Sequence, residues 1–206
     1  MTLKNKERRN AVEPSVAGQR HILRIALALN AVMFCVGLAA GLIGQSSGLI
    51  ADALDMLADA SGYLIALAAI NRSAAYKINS ALFSGTTLLV LGAGVLGDAL
   101  RRYFVGSEPV SYLMIGAASL SLLVNTGVLH MLGRFRNSEI HLRAVFIDTR
   151  VDVIANLAVI LAGLVVLVAG YRYADLVVGA AIGIYVMKEA LELIGEARQA
   201  RTMRVP

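Results

Sequence analysis

Six stretches of this chain are apolar over roughly twenty residues each, the length a helix needs to cross the ~30 Å hydrocarbon core of a bilayer. They run from about 22 to 44, 48 to 70, 81 to 104, 112 to 132, 142 to 169 and 174 to 194. This feature excludes most architectures. In lipid, every backbone N–H and C=O must be paired, and open strand edges cannot be. The expected fold class is therefore an all-α integral membrane protein with six transmembrane helices. Composition agrees, because only 16% of residues are charged, against about a quarter in a soluble domain. Nineteen glycines and three prolines suit helices whose backbones pack closely in lipid.

Charge sets the expected orientation. Of the 19 Lys and Arg, six precede or open the first run, through Arg24. Arg72 and Lys77 follow the second run. Arg134, Arg136 and Arg143 surround the fourth connection, and four more lie from Lys188 onward. The opposite side holds only Arg101, Arg102 and Arg172. The positive-inside rule places both termini in the cytosol, which requires an even number of spans. Residues 1–21 are then a cytosolic N-terminal segment, 22–194 the transmembrane domain and 195–206 a short cytosolic tail. The first run is too long for a signal-peptide core and is read as a span that stays in the protein. The net charge of +5 flanks apolar runs rather than forming one stripe, so no nucleic-acid partner is expected. The lone Cys35 excludes an internal disulfide or a cysteine metal cluster within one chain.

Charge inside the spans points to function. The second run contains DALDMLADASGY, with Asp52, Asp55 and Asp59 on an arc of roughly 60° of one helix face. The fifth contains FIDTRVDVIAN, with Asp148 and Asp152 again at i, i+4, and Asn156 one turn further on. Each ionised carboxylate at mid-bilayer depth costs at least ~2.5–3.5 kcal/mol. Protonation, a cationic partner, a water-filled cavity or a metal ion can offset that cost. Two such pairs meeting face to face make a four-carboxylate cage for a divalent ion. Zinc would sit there tetrahedrally, whereas manganese would add waters. The competing reading is interhelical hydrogen bonding; it is the stronger one for Asp52, close to the start of its span. Asn30 and Asn156 either orient carboxylates or bond helix to helix.

Arg150, two residues beyond Asp148, points away from the ligand face and is read as structural. Asp98 is expected to pair locally with Arg101 or Arg102. The three histidines, His21, His130 and His141, fall near span ends and are read as interfacial. Cys35 and the methionines are read as packing residues.

SGLIADALDMLADASGYLIAL resembles the second transmembrane helix of the cation diffusion facilitators, and HLRAVFIDTRVDVIANLAVI resembles their fifth. The likeness extends to RSAAYKINS before the third span and to ADLVVGAAIGI at the start of the sixth. It implies metal ligands at Asp55, Asp59, Asp148 and Asp152, with Asp52, Asn30 and Asn156 as possible supporting residues. It also implies export of a divalent cation (zinc, manganese, iron, cobalt or cadmium) driven by proton influx, alternating access and a homodimer. A multi-pass protein of the bacterial inner membrane is expected. The metal is the substrate, and no permanently bound cofactor is expected.

The sequence departs from the family pattern in three places. All four ligand positions are aspartate, where many zinc transporters use histidine, which favours a harder or less selective site. The connection GRFRNSEI has no histidine cluster, and a short form without the metal-binding cytosolic C-terminal domain of many members is expected. Four carboxylates outweigh one divalent cation by two charges, so an emptied site is expected to take up protons that an entering metal displaces. A proton or cation channel and a non-transporting membrane subunit are the rival readings. An enzyme is not expected, since HExxH and Walker motifs are absent from the sequence.

Overall fold

The computed structural model describes residues 16–68, 73–133 and 140–203, and these form six helices. They are α1 (Val16–Ile43), α2 (Ser47–Ala68), α3 (Ala74–Val105), α4 (Ser111–Leu132), α5 (Ile140–Ala169) and α6 (Tyr173–Thr202). Arg72, Arg134, Arg136 and most of the N-terminal segment lie outside the described residues, as do the side chains of His141, Arg143 and Asp148.

Four helices, α1, α3, α4 and α5, are long and apolar enough to cross a membrane. The other two fall short because of charge. Every 18-residue window of α2 contains Asp52, Asp55 and Asp59, and every such window of α6 contains at least three charged side chains.

Helix ends follow local chemistry. Ser73 caps α3 by accepting a hydrogen bond from the Tyr76 N–H, at 3.3 Å, which satisfies one of the orphan donors of a first turn. The helix therefore starts at Ala74, about two turns before the apolar run expected from residue 81. At its other end Gly106 takes φ 100° and stops it. α6 runs beyond the apolar stretch to Thr202, so the expected tail from residue 195 is helical over its described part. The α1–α2 turn is tight, with Gln45 at φ 47° and the Ser46 N–H returning to the Gly41 carbonyl at 3.0 Å.

Three connections share one end of the bundle. The Val110 N–H of the α3–α4 loop donates to the Gly44 carbonyl of the α1–α2 turn at 2.9 Å. Arg102 Nη1 donates to the Gln45 carbonyl at 2.5 Å. Asp175, at the start of α6, accepts from Ser46, Ser47 and Gly48. With helices alternating in direction, Val16 and Thr202 both lie at the opposite end.

α2 is the central helix and packs against all five others. Ala51 to Met56 is a continuous buried run, whereas beyond Leu57 the helix becomes partly exposed. Glycine makes the close packing possible. A Cβ on Gly41 of α1 would stand 2.9 Å from the Ile50 amide nitrogen, and one on Gly179 of α6 would stand 2.6 Å from the Ser47 carbonyl carbon. Small residues let membrane helices gain dispersion contacts and backbone approach where no hydrophobic driving force acts between them.

Candidate functional site

One stripe of α2 carries Gly48, Asp52, Asp55 and Asp59, at helical spacings of four, three and four. It faces α5 and α6. A Cβ on Gly48 would lie 3.6 Å from Val159 Cγ2 of α5 and 3.0 Å from Asp175 Oδ1 of α6. The α5 stripe runs the other way, through Val159, Asn156 and Asp152. Asn156 Nδ2 donates to Asp52 Oδ1 at 3.0 Å. One turn further toward the helix termini, the Asp152 carboxylate meets those of Asp55 and Asp59. Each turn down α2 is thus matched by one turn back along α5, an antiparallel register.

The members of this constellation are differently provided for. Asn156 is fully buried and also donates to the Asp152 backbone carbonyl at 2.6 Å. Its amide therefore bonds both Asp52 and the turn that carries Asp152. Ser121 of α4 is a second neighbour of Asp52. Asp55 and Asp152 are each only 5% exposed, yet Asp152 Oδ2 receives no hydrogen bond from the described residues. Two deprotonated carboxylates in contact have no donor between them. Such a pair is tenable only with a shared proton or a cation. Asp59 is half-buried, at the level where α2 begins to open.

The charged side chains that act on Asp55 are themselves acidic: Asp59, Glu189 and Asp52. Glu189 lies on α6, next to Lys188, whose ammonium is 3.5 Å from Glu192 on the exposed face. Glu189 was not weighed from the sequence; it has no carboxylate at i, i+4 on its own helix. The available signal was a carboxylate inside the sixth apolar run. Asp175 was likewise seen only as part of a motif. It is fully buried, with three donors at 2.6, 2.8 and 3.0 Å.

Other residues are placed apart from the stripe. Asn30 is buried but donates within its own helix, to the Ala26 carbonyl at 3.0 Å, and its Oδ1 has no partner among the described residues. Arg150 is exposed, while Asp152 two residues on is buried. Asp98 accepts from Arg101 Nη2 at 2.8 Å and also from Arg102. A cavity of about 540 Å³ between α2 and α3, lined by Leu57, Ser61 and Ile65 among others, opens on the side of α2 away from the carboxylates. Among the described residues, no three His, Cys, Asp or Glu side chains are grouped closely enough to hold a metal as they stand.

The family model described as the cation efflux transmembrane domain matches residues 23–200, spanning all six helices. The chain belongs to this cation efflux family. No curated protein matches it. Cation efflux proteins are transporters that take metal cations as substrate, and membership together with the apolar helices makes this chain a multi-pass integral membrane protein. In that setting a buried, poorly satisfied carboxylate cluster on the central helix is the candidate functional site.

Proposed function

We propose that this cation efflux protein is a secondary transporter that exports divalent metal cations from the cytosol in exchange for protons. Its site is Asp55 and Asp59 on α2 with Asp148 and Asp152 on α5. The observation that carries this reading is the contact of Asp152 with Asp55 and Asp59, deep in a bundle of apolar helices. The antiparallel register, continued by one turn of α5, brings backbone position 148 level with Asp59. In this reading six spans cross the bilayer, with both termini cytosolic, as the charge count of the connections supports. A homodimer in a bacterial inner membrane follows from the family resemblance.

The mechanism needs no further machinery. A divalent cation entering from the cytosolic end neutralises carboxylates and displaces the protons they hold. Once it leaves on the other side, protons rebind and the emptied site returns. The burial of Ala51 to Met56 and the partial exposure beyond Leu57 support a pathway open toward the inner end and closed at the outer one. Asp52, tied to Asn156, is then a supporting residue rather than a ligand.

Reconstitution into proteoliposomes tests this directly. Zinc or manganese flux should saturate, should depend on an opposing proton gradient, and should vanish in Asp55→Asn and Asp152→Asn. Flux indifferent to the gradient, with large unitary currents, would favour the channel instead. Unchanged flux in both variants would end the carboxylate-site reading.

A further inference from the structure

The helix register brings a third helix to the carboxylates. α2 and α6 run in the same direction from the sealed end of the bundle. Gly179 touches Ser47 and Gly48 so closely that a Cβ there would lie 2.6 to 2.8 Å from their backbone atoms. This contact fixes the level of one helix against the other. About ten residues, or ~15 Å of rise, further along, α6 reaches Glu189 and α2 reaches Leu57 and Ala58, midway between Asp55 and Asp59. The rotation agrees with the depth. Asp175, Gly179, Ile182 and Val186 are all buried on the inward side of α6; the same spacing continues to Glu189, half-buried beside the buried Ala190. Its carboxylate acts on Asp55. The adjacent Lys188 turns outward toward Glu192.

We infer that Glu189 is a further coordinating residue of the transport site. It contributes a carboxylate from α6 that raises the oxygen count beyond the four aspartates. This rests on the transport-site reading above and deepens it. The second observation that calls for a cation at this depth is Asp152 Oδ2, buried and without a donor among the described residues. Four oxygen ligands satisfy a tetrahedral ion such as zinc. Additional carboxylate oxygens suit ions that prefer six oxygen ligands, of which manganese is the available probe. Glu189 is therefore the residue that tilts the site toward such cations. Glutamate is one methylene longer than aspartate, which gives it the reach from the more distant helix.

The test is calorimetric titration of the purified full chain in detergent with manganese and, separately, zinc. Wild type, Glu189→Gln, Glu189→Asp and Asp55→Asn are compared, with circular dichroism on each. Glu189→Gln should weaken manganese binding by roughly ten- to a hundredfold and zinc binding by less, while Asp55→Asn loses both. Glu189→Asp keeps the charge but withdraws it, and should bind manganese more weakly than wild type. It also serves as the readout if Glu189→Gln does not fold. Manganese binding unchanged in the folded Glu189 variants, with Asp55→Asn still dead, would overturn the role of Glu189 and leave the aspartate site standing. So would an equal loss for both metals in Glu189→Gln. Full binding in Asp55→Asn would overturn the site itself.

Discussion

Helix α2 holds buried carboxylate chemistry at two depths, and the two depths are treated in opposite ways. At the end that holds the α1–α2 turn, Asp175 reaches in from α6 and accepts from the Ser46 hydroxyl and from the N–H groups of Ser47 and Gly48. These are the orphan donors of the first turn of α2, and the negative charge sits where the helix dipole favours it. The carboxylate is satisfied and the helix start is fixed to α6. Midway down, Asp55 and Asp152 face each other among further acids, and Asp152 Oδ2 has no donor among the described residues. Burial is nearly the same in the two places. The difference is in partners. A buried carboxylate with every oxygen bonded is part of the scaffold; one facing other carboxylates awaits a proton or a cation.

The sharpest way to break this comparison is to neutralise the two depths separately. Asp152→Asn should abolish metal-dependent flux in proteoliposomes while leaving the fold intact by circular dichroism. A variant that unfolds instead would make the mid-depth carboxylates structural. Asp175→Ala should do the reverse at first order. It leaves two buried N–H groups and a hydroxyl without their acceptor, at about 1–3 kcal/mol for each unsatisfied group, and should lower the thermal midpoint substantially. An unchanged midpoint would show that this end of the bundle is not held in this way.

Gly179→Ala tests the same end through packing. Its methyl would meet the Ser47 backbone, which cannot move aside like a side-chain tip, so about 1–3 kcal/mol of destabilisation is expected, read as a shift in the denaturation midpoint. Asn156→Leu removes the donor to Asp52 and should lower flux partially, with a smaller effect than either ligand variant, because it loosens a carboxylate beside the site rather than one within it. Arg150→Gln is the smallest. The side chain is exposed, and flux within twofold of wild type is expected, since no contact among the described residues ties it to the carboxylates. A large loss there would bring back a gating role.

Much of this was legible in the residues. The six apolar runs correspond to the six helices, because lipid leaves the backbone no other open arrangement. The i, i+4 aspartates mark the faces of α2 and α5 for the same reason that any helical stripe does. The predicted pairing of Asp98 with its neighbouring arginines is local to one helix, and the structure has it with both Arg101 and Arg102. Boundaries were less legible. α3 starts at Ala74 because its first turns, with Tyr76, Lys77 and Asn79, are helical but polar, and hydropathy does not see them. α6 continues to Thr202 because helix-forming residues outlast the apolar run.

What the sequence determined by itself is the set of faces: which helices form, which side of each is apolar, and which positions put carboxylates where water is scarce. These depend only on the period of the α-helix and on lipid as solvent. What the tertiary structure decided is which faces meet. That α2 lies at the centre, that Asp152 comes against Asp55 while Asn156 takes Asp52, that Asp175 ends at the start of a helix more than a hundred residues away in sequence, and that Glu189 lies level with the aspartates all depend on helix order and on close approaches at Gly41, Gly48 and Gly179. Contacts of that kind are set by the packing of several helices at once, and no single segment carries them.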